Sequence, residues 1–246
     1  MKLILLGTTG YHPTDARHTA CLMLPELGIV LDAGTALYRV RDYLQTTELD
    51  IFLTHAHLDH VIGLTFLFDI LHERPLDRVR VHGEPAKLAA IDEHLLAPAL
   101  FPVKLPCQFQ PLAAETPLAG GGRLTHFPLL HPGGAVGFRL DWPGRSLAYV
   151  TDTTARPDAP YIERIRGVDL LVHECYFPDD QAALAEQTGH SCTTSVLEVA
   201  RAAGAGRLVL VHVNPLATGD DPLQLAAARH IFPRVELGHD RQVVEF

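Results

Sequence analysis

The chain has 246 residues, 47% hydrophobic and 20% charged, which is enough for a sizeable core and too balanced for disorder or low complexity. Twenty Lys and Arg against 29 Asp and Glu give a formal charge of −9, so the overall field attracts neither nucleic acid nor an anionic membrane, and any polyanion must be drawn by a local site. Cys21, Cys107, Cys175 and Cys192 form no Cys-x-x-Cys pair, the N-terminal MKLILLG is too short for a signal core, and no apolar run reaches about 18 residues; a cytoplasmic protein without a membrane span is expected.

Short β-type runs alternate with helical ones, and no linker, charge block or repeat marks a boundary, so one α/β domain over 1–246 is expected. Residues 2–6, 20–24 and 28–32 read as strands, the third closing at Asp32-Ala33-Gly34; a helix over 37–44 and a buried strand over 50–54 follow. Residues 61–71 have helical periodicity, 79–82 form a strand, and Pro85 suits the first turn of a helix running to 96. Residues 97–106, with three prolines and the apolar Leu100, Phe101 and Val103, connect onward and either line a cleft or pack as a lid. Residues 108–112, 124–131, 135–142 and 146–150 read as consecutive antiparallel strands, with Gly120-Gly121-Gly122 and Pro143-Gly144 as turns. The rest is a strand over 169–173, a helix over 193–203 ended by Gly204, a strand over 208–213, a helix over 222–231, and a closing hairpin of 235–237 with 243–246 around Gly238-His239-Asp240. Two sheets flanked by helices follow from this order.

Fifteen histidines are many for this length. The pattern His55-x-His57-x-Asp59-His60 stands directly after a hydrophobic strand, and 15 His and 17 Asp in 246 residues would produce it by chance only about 0.004 times. In an extended loop His55 and His57 project to one side, while Asp59 and His60 begin a turn and can face a second centre, so one short segment can serve two ions. Each ion needs about four ligands, which six residues cannot supply twice over. Strand ends supply the others: His131, with His126 as its rival, Asp152 and His212.

This pattern resembles the metallo-β-lactamase superfamily, a four-layer αββα sandwich of two mixed sheets flanked by helices, with metals at the sheet edge. The match covers nearly the whole chain. The resemblance implies two divalent ions per chain, zinc or manganese, with His55, His57 and His131 on the first, Asp59, His60 and His212 on the second, and Asp152 bridging them with a hydroxide. Residues 3–7 followed by Thr8-Thr9-Gly10, Pro13 and Arg17, then Leu31-Asp32-Ala33-Gly34, His173-Glu174 and Gly189-His190-Ser191, in this order, resemble the ribonuclease Z and phosphodiesterase branch. That branch implies that His190, oriented by Glu174, protonates the leaving oxygen; with Asp59 these are the expected catalytic residues. Arg17 and His18 are read as ordinary loop residues rather than substrate contacts.

Phosphodiester hydrolysis at two metals needs a nucleophile, neutralisation of the non-bridging oxygens and an acid for the departing alkoxide, and these residues supply that set. The transfer-RNA-processing members of the branch carry a long arm between the positions matching His131 and Asp152, whereas here the interval is 21 residues, enough for one hairpin. The expected substrate is a small anionic phosphodiester: a cyclic nucleotide, a cyclic phosphate or a short RNA end. No extended nucleic-acid surface and no membrane partner are expected; a homodimer is compatible with the family. The alternatives are a lactonase, thioesterase or β-lactamase-type acyl hydrolase, which would lack a use for Glu174 and His190, a transfer-RNA 3′-processing endonuclease, and an inactive metal-dependent scaffold, which a lost ligand would mark.

Overall fold

In the computed structural model, which describes residues 1–246, the LILLG run becomes strand β1 (Lys2–Gly7), and every residue after Lys2 is buried. Such a run, apolar on both faces of the pleat, needs cover on both sides. Contacts divide the chain into two compact units, Met1–Ala113 with His239–Glu245, and Ala114–Gly238 with Phe246.

The first unit is a seven-stranded sheet. With β2 (Cys21–Leu24), β3 (Ile29–Leu31), β4 (Glu48–Phe52), β5 (Arg78–Gly83), β6 (Gln108–Pro111) and β14 (Gln242–Glu245), its order is β14-β1-β2-β3-β4-β5-β6. β14 to β3 pair antiparallel and β3 to β6 parallel, so β3, β4 and β5 end at one edge. Its helices are α1 (Val40–Tyr43), α2 (Leu58–Val61), α3 (Leu67–Glu73) and α4 (Pro85–Ala90). Met23, Val30, Ile51 and Val81 pack with Leu37, Val40, Leu64, Leu67 and Ile70 in one buried cluster.

The second unit holds β7 (Glu115–Leu118), β8 (Gly122–Leu129), β9 (Ala135–Trp142), β10 (Arg145–Val150), β11 (Leu170–Glu174), β12 (Arg207–Val211) and β13 (Val235–Leu237), in the order β13-β12-β11-β10-β9-β8-β7. Here β7 to β10 are antiparallel and β10 to β13 parallel. The helices are α5 (Tyr161–Arg164), α6 (Ala182–Thr188), α7 (Thr193–Ala203) and α8 (Leu225–Ala228). α7 buries Val196, Val199, Ala200 and Ala203, a stripe at helical spacing, and stops where Gly204 turns left-handed at φ 63°. No helix is long and apolar enough to cross a membrane.

Two mixed sheets flanked by helices are therefore present as expected, with four local corrections. β6 is not the first of an antiparallel run; it pairs parallel with β5, and β7 takes the place beside β8. β13 and β14 are not a hairpin: they pair with β12 and β1 in different sheets. The helix expected over 222–231 is only Leu225–Ala228, because the Asp221 carboxylate accepts the N–H groups of Leu225 (2.8 Å) and Ala226 (2.9 Å) and starts the turn late. Helices α5 and α6 were not anticipated.

Candidate metal centre

Each unit carries donors at the ends of its parallel strands. In the first unit Leu31 of β3 pairs with Phe52 of β4, so Asp32 and the segment from Leu53 to His57 leave the sheet side by side. Asp32, fully buried at φ 60°, accepts hydrogen bonds from the Thr54 N–H (2.8 Å) and hydroxyl (2.9 Å), and its Oδ2 meets His60 Nδ1 at 2.8 Å. The Nδ1–H of His60 thus points at a carboxylate, which leaves Nε2 to face outward. Thr54 Oγ1 also lies 3.0 Å from His55 Nδ1. His57 is extended (φ −66°, ψ 148°) just before α2, so Asp59 falls in the first turn and His60 one residue on. The rings of His55 and His57 lie 4.5 Å apart, those of His55 and His60 4.2 Å, and Asp59 Oδ2 is 3.5 Å from His60 Nε2. Gly34 is required here, since a Cβ would lie 2.3 Å from the Asp59 carbonyl oxygen.

In the second unit β10, β11 and β12 run parallel in register, Val150 beside His173 and Glu174 beside Val211, so Asp152, Glu174 and His212 emerge at one edge. Asp152 and His212 are buried at φ 40° and 56°. With Tyr11 and Asp32 they make four of the chain's six non-glycine residues at positive φ, and such strain concentrates where side chains must be aimed. Asp152 Oδ2 lies 3.5 Å from His131 Nε2, and its Oδ1 lies 3.3 Å from His212 Nε2. His131 Nδ1 meets the Gly189 carbonyl at 3.0 Å. Burial holds the His131 pKa below its ordinary value against the opposing pull of Asp152, a shift toward the neutral form a metal needs.

Gly189 closes α6 at φ 76° and touches Pro132 so closely that a Cβ would lie 2.4 Å from its Cδ. The next residue, His190, places Nδ1 3.2 Å from Oε1 of the fully buried Glu174, which also accepts the Thr153 N–H at 3.0 Å. The Tyr176 ring stacks on His190 at 4.5 Å and 15°. Donor atoms of Asp152, His190 and His212 all lie within 4.8 Å of one another.

Five of the seven sequence-predicted ligands, His55, His57, His131, Asp152 and His212, therefore sit in segments that follow strands, whereas Asp59 and His60 lie in helix α2. Within the first unit His55, His57, Asp59 and His60 cluster; within the second, His131, Asp152, Glu174, His190 and His212 do. His126 lies inside β8, and His131 is the one beside Asp152. Arg17 donates to Thr8 Oγ1 at 2.6 Å, in keeping with a loop residue. The sequence reading did not assign Asp32, although it stands in the motif Leu31-Asp32-Ala33-Gly34, nor the support from Thr54 and Gly189. An imidazole backed by a carboxylate or carbonyl, with nitrogen and carboxylate donors and no thiolate, fits a divalent ion such as zinc or manganese. Asp32→Asn should weaken divalent-ion affinity roughly 10- to 100-fold in competition with a chelator, and unchanged affinity would show that His60 does not depend on this carboxylate.

The family model described as the beta-lactamase superfamily domain matches residues 28–213. A ribonuclease Z of Salinibacter ruber is 32% identical, over 98% of this chain and 92% of that protein. Its alignment runs over 304 positions against 246 residues, so at least 58 of them have no counterpart here. Among solved structures, the metallo-beta-lactamase fold protein YhfI from Bacillus subtilis superposes with a TM-score of 0.81 at 22% identity, covering 99% of both chains. The short form of human tRNase Z superposes at 0.78 and 21% identity, covering 100% of this chain and 99% of that one. These two likenesses show the fold, the metallo-β-lactamase fold.

Proposed function

This chain belongs to the beta-lactamase superfamily and is ribonuclease Z-like, hence a metal-dependent hydrolase of phosphodiesterase type, and we propose that it takes a small phosphodiester at two divalent ions. The substrate class is a cyclic nucleotide, a cyclic phosphate or a short RNA end. In this reading residues 1–246 act as one domain, supported by a family match that runs through the boundary between the two units. His55, His57 and His131 would hold one ion, Asp59, His60 and His212 the other, and Asp152 both, with zinc preferred and manganese acceptable for this donor set. Bound there, the ions would supply Lewis acidity and an activated water.

The chain's own residues supply the rest. Asp32 and the Gly189 carbonyl fix the outward nitrogen of His60 and His131. Glu174 accepts from His190 Nδ1–H, so Nε2 is the atom that carries or takes the mobile proton, and the stacked Tyr176 ring restrains the imidazole. An alkoxide departing from phosphorus is strongly basic and needs that proton, which makes the Glu174–His190 pair beside Asp152 and His212 the observation that carries the phosphodiester reading.

A small substrate is supported by the interval between His131 and Asp152, which holds only β9 and β10 joined at Pro143-Gly144. A net charge of −9 likewise favours a small anion over a folded polyanion. Four free cysteines, three of them buried, fit the reducing cytoplasm proposed as its setting.

Elemental analysis of the full chain, run beside hydrolysis of bis(p-nitrophenyl) phosphate, nitrocefin and a thioester, tests the reading. About two zinc or manganese per chain and preference for the phosphodiester are expected. Turnover confined to an acyl substrate would keep the fold and move the function to a lactonase or thioesterase.

A further inference from the structure

The loop over residues 8–18 is fixed at both stems. Asp240 accepts the Thr8 N–H (3.0 Å), the Thr8 hydroxyl (2.7 Å) and the His18 N–H (2.7 Å), and pairs with Arg39 at 2.6 Å. Within the loop, the Thr14 N–H donates to the Arg17 carbonyl at 2.8 Å and Thr14 Oγ1 accepts the Arg17 N–H at 3.1 Å. Near the start of this braced loop stands Tyr11, at φ 59°. Its N–H donates to Asp59 Oδ2 at 2.8 Å, while the residue is 74% exposed and its ring lies edge-on to His12 at 5.4 Å.

A left-handed backbone is uncommon for a bulky residue, and glycine would present the same N–H to Asp59 without strain. The backbone contact therefore does not explain the side chain. What the tyrosine adds is a flat, solvent-facing aromatic surface carried one hydrogen bond away from a carboxylate of the proposed metal site. Aromatic faces in such places are platforms on which bases stack with little regard for sequence.

We propose that Tyr11 is a specificity-determining residue that stacks on an aromatic base carried by the phosphodiester. This rests on the phosphodiesterase reading and narrows it, selecting nucleotides and RNA ends over base-free cyclic phosphates. The base of a nucleotide is separated from its phosphate by the sugar alone, and Tyr11 is separated from Asp59 by one hydrogen bond, so the two ends of the substrate match two adjacent features of the loop and α2.

The test uses the metal-loaded full chain with p-nitrophenyl thymidine 5′-phosphate and methyl p-nitrophenyl phosphate, which share a leaving group and differ in the base. Tyr11→Ala should lower the kcat/KM preference for the thymidylyl ester about tenfold, mainly through KM, and Tyr11→Phe should retain it. Tyr11→Gly, which relieves the backbone, should lose the preference as Ala does while Tm holds or rises. An unchanged preference in Tyr11→Ala, with both esters affected equally or neither affected, overturns the proposal and leaves the phosphodiesterase reading intact. Failure of the wild-type chain to hydrolyse either ester overturns both.

Discussion

Replacing Asp59 with alanine should lower phosphodiester turnover by about a thousandfold or more and reduce the metal content from two ions per chain to about one, with the fold retained. The reasoning separates what Asp59 does for the site from what it does for the fold. It lies in the first turn of α2, its side chain is 12% exposed, and its Oδ2 faces both His60 Nε2 and the Tyr11 N–H. The structural loss is one backbone hydrogen bond and a favourable helix-dipole position, together about 1–2 kcal/mol, which is a few degrees in Tm for a chain of this size. The functional loss is larger, because in the proposed ligand set a divalent ion deprived of Asp59 would keep only the shared Asp152 carboxylate beside a neutral imidazole pair. Circular dichroism, elemental analysis and turnover on a single preparation decide the matter. Full metal content with normal folding would remove Asp59 from the ligand set, and a collapse of the fold would show its role to be structural.

Much of this arrangement is legible in the chain, and the boundary of legibility has a physical cause. Strands show through local pattern: β1, β2, β3, β5, β9 to β12 and helix α7 lie close to where apolar runs and caps put them. The partners of those strands are long-range facts that period two does not encode. Gly238-His239-Asp240 has the composition of a hairpin turn, yet Asp240 is bound by Thr8, His18 and Arg39, more than 200 residues away in sequence, and this places β14 on β1. The end of β4 is a similar case: the strand stops at Phe52 because the Thr54 N–H is taken by Asp32, a residue adjacent only once β3 and β4 have paired. The proposed metal ligands could be picked out because four of them share one hexapeptide of improbable composition, and the other three follow closely after strands. Asp32 and Gly189 were not assigned because their contribution lies in what they hold, His60 and His131, and not in their own chemistry.

His190→Ala should slow phosphodiesters with alkyl leaving groups by about 10²- to 10⁴-fold, leave p-nitrophenyl esters much less affected, and leave metal content unchanged. The comparison matters because two roles compete for this residue. Its donor atom lies within 4.8 Å of those of Asp152 and His212, close enough to join a coordination shell, while its Nδ1 is engaged by Glu174. A ligand and an acid make opposite predictions. Loss of a ligand lowers metal content and slows every substrate alike; loss of an acid slows substrates in proportion to the basicity of the oxygen that departs, since a nitrophenolate leaves without a proton and an alkoxide does not. Glu174→Gln sharpens the distinction: a neutral amide no longer favours the protonated imidazole, so the alkaline limb of the alkyl-ester pH profile, where the acid loses its proton, should move to lower pH while metal content stays fixed. Equal slowing of alkyl and nitrophenyl esters by His190→Ala, accompanied by metal loss, would place His190 among the ligands and leave the leaving oxygen to be protonated by another group.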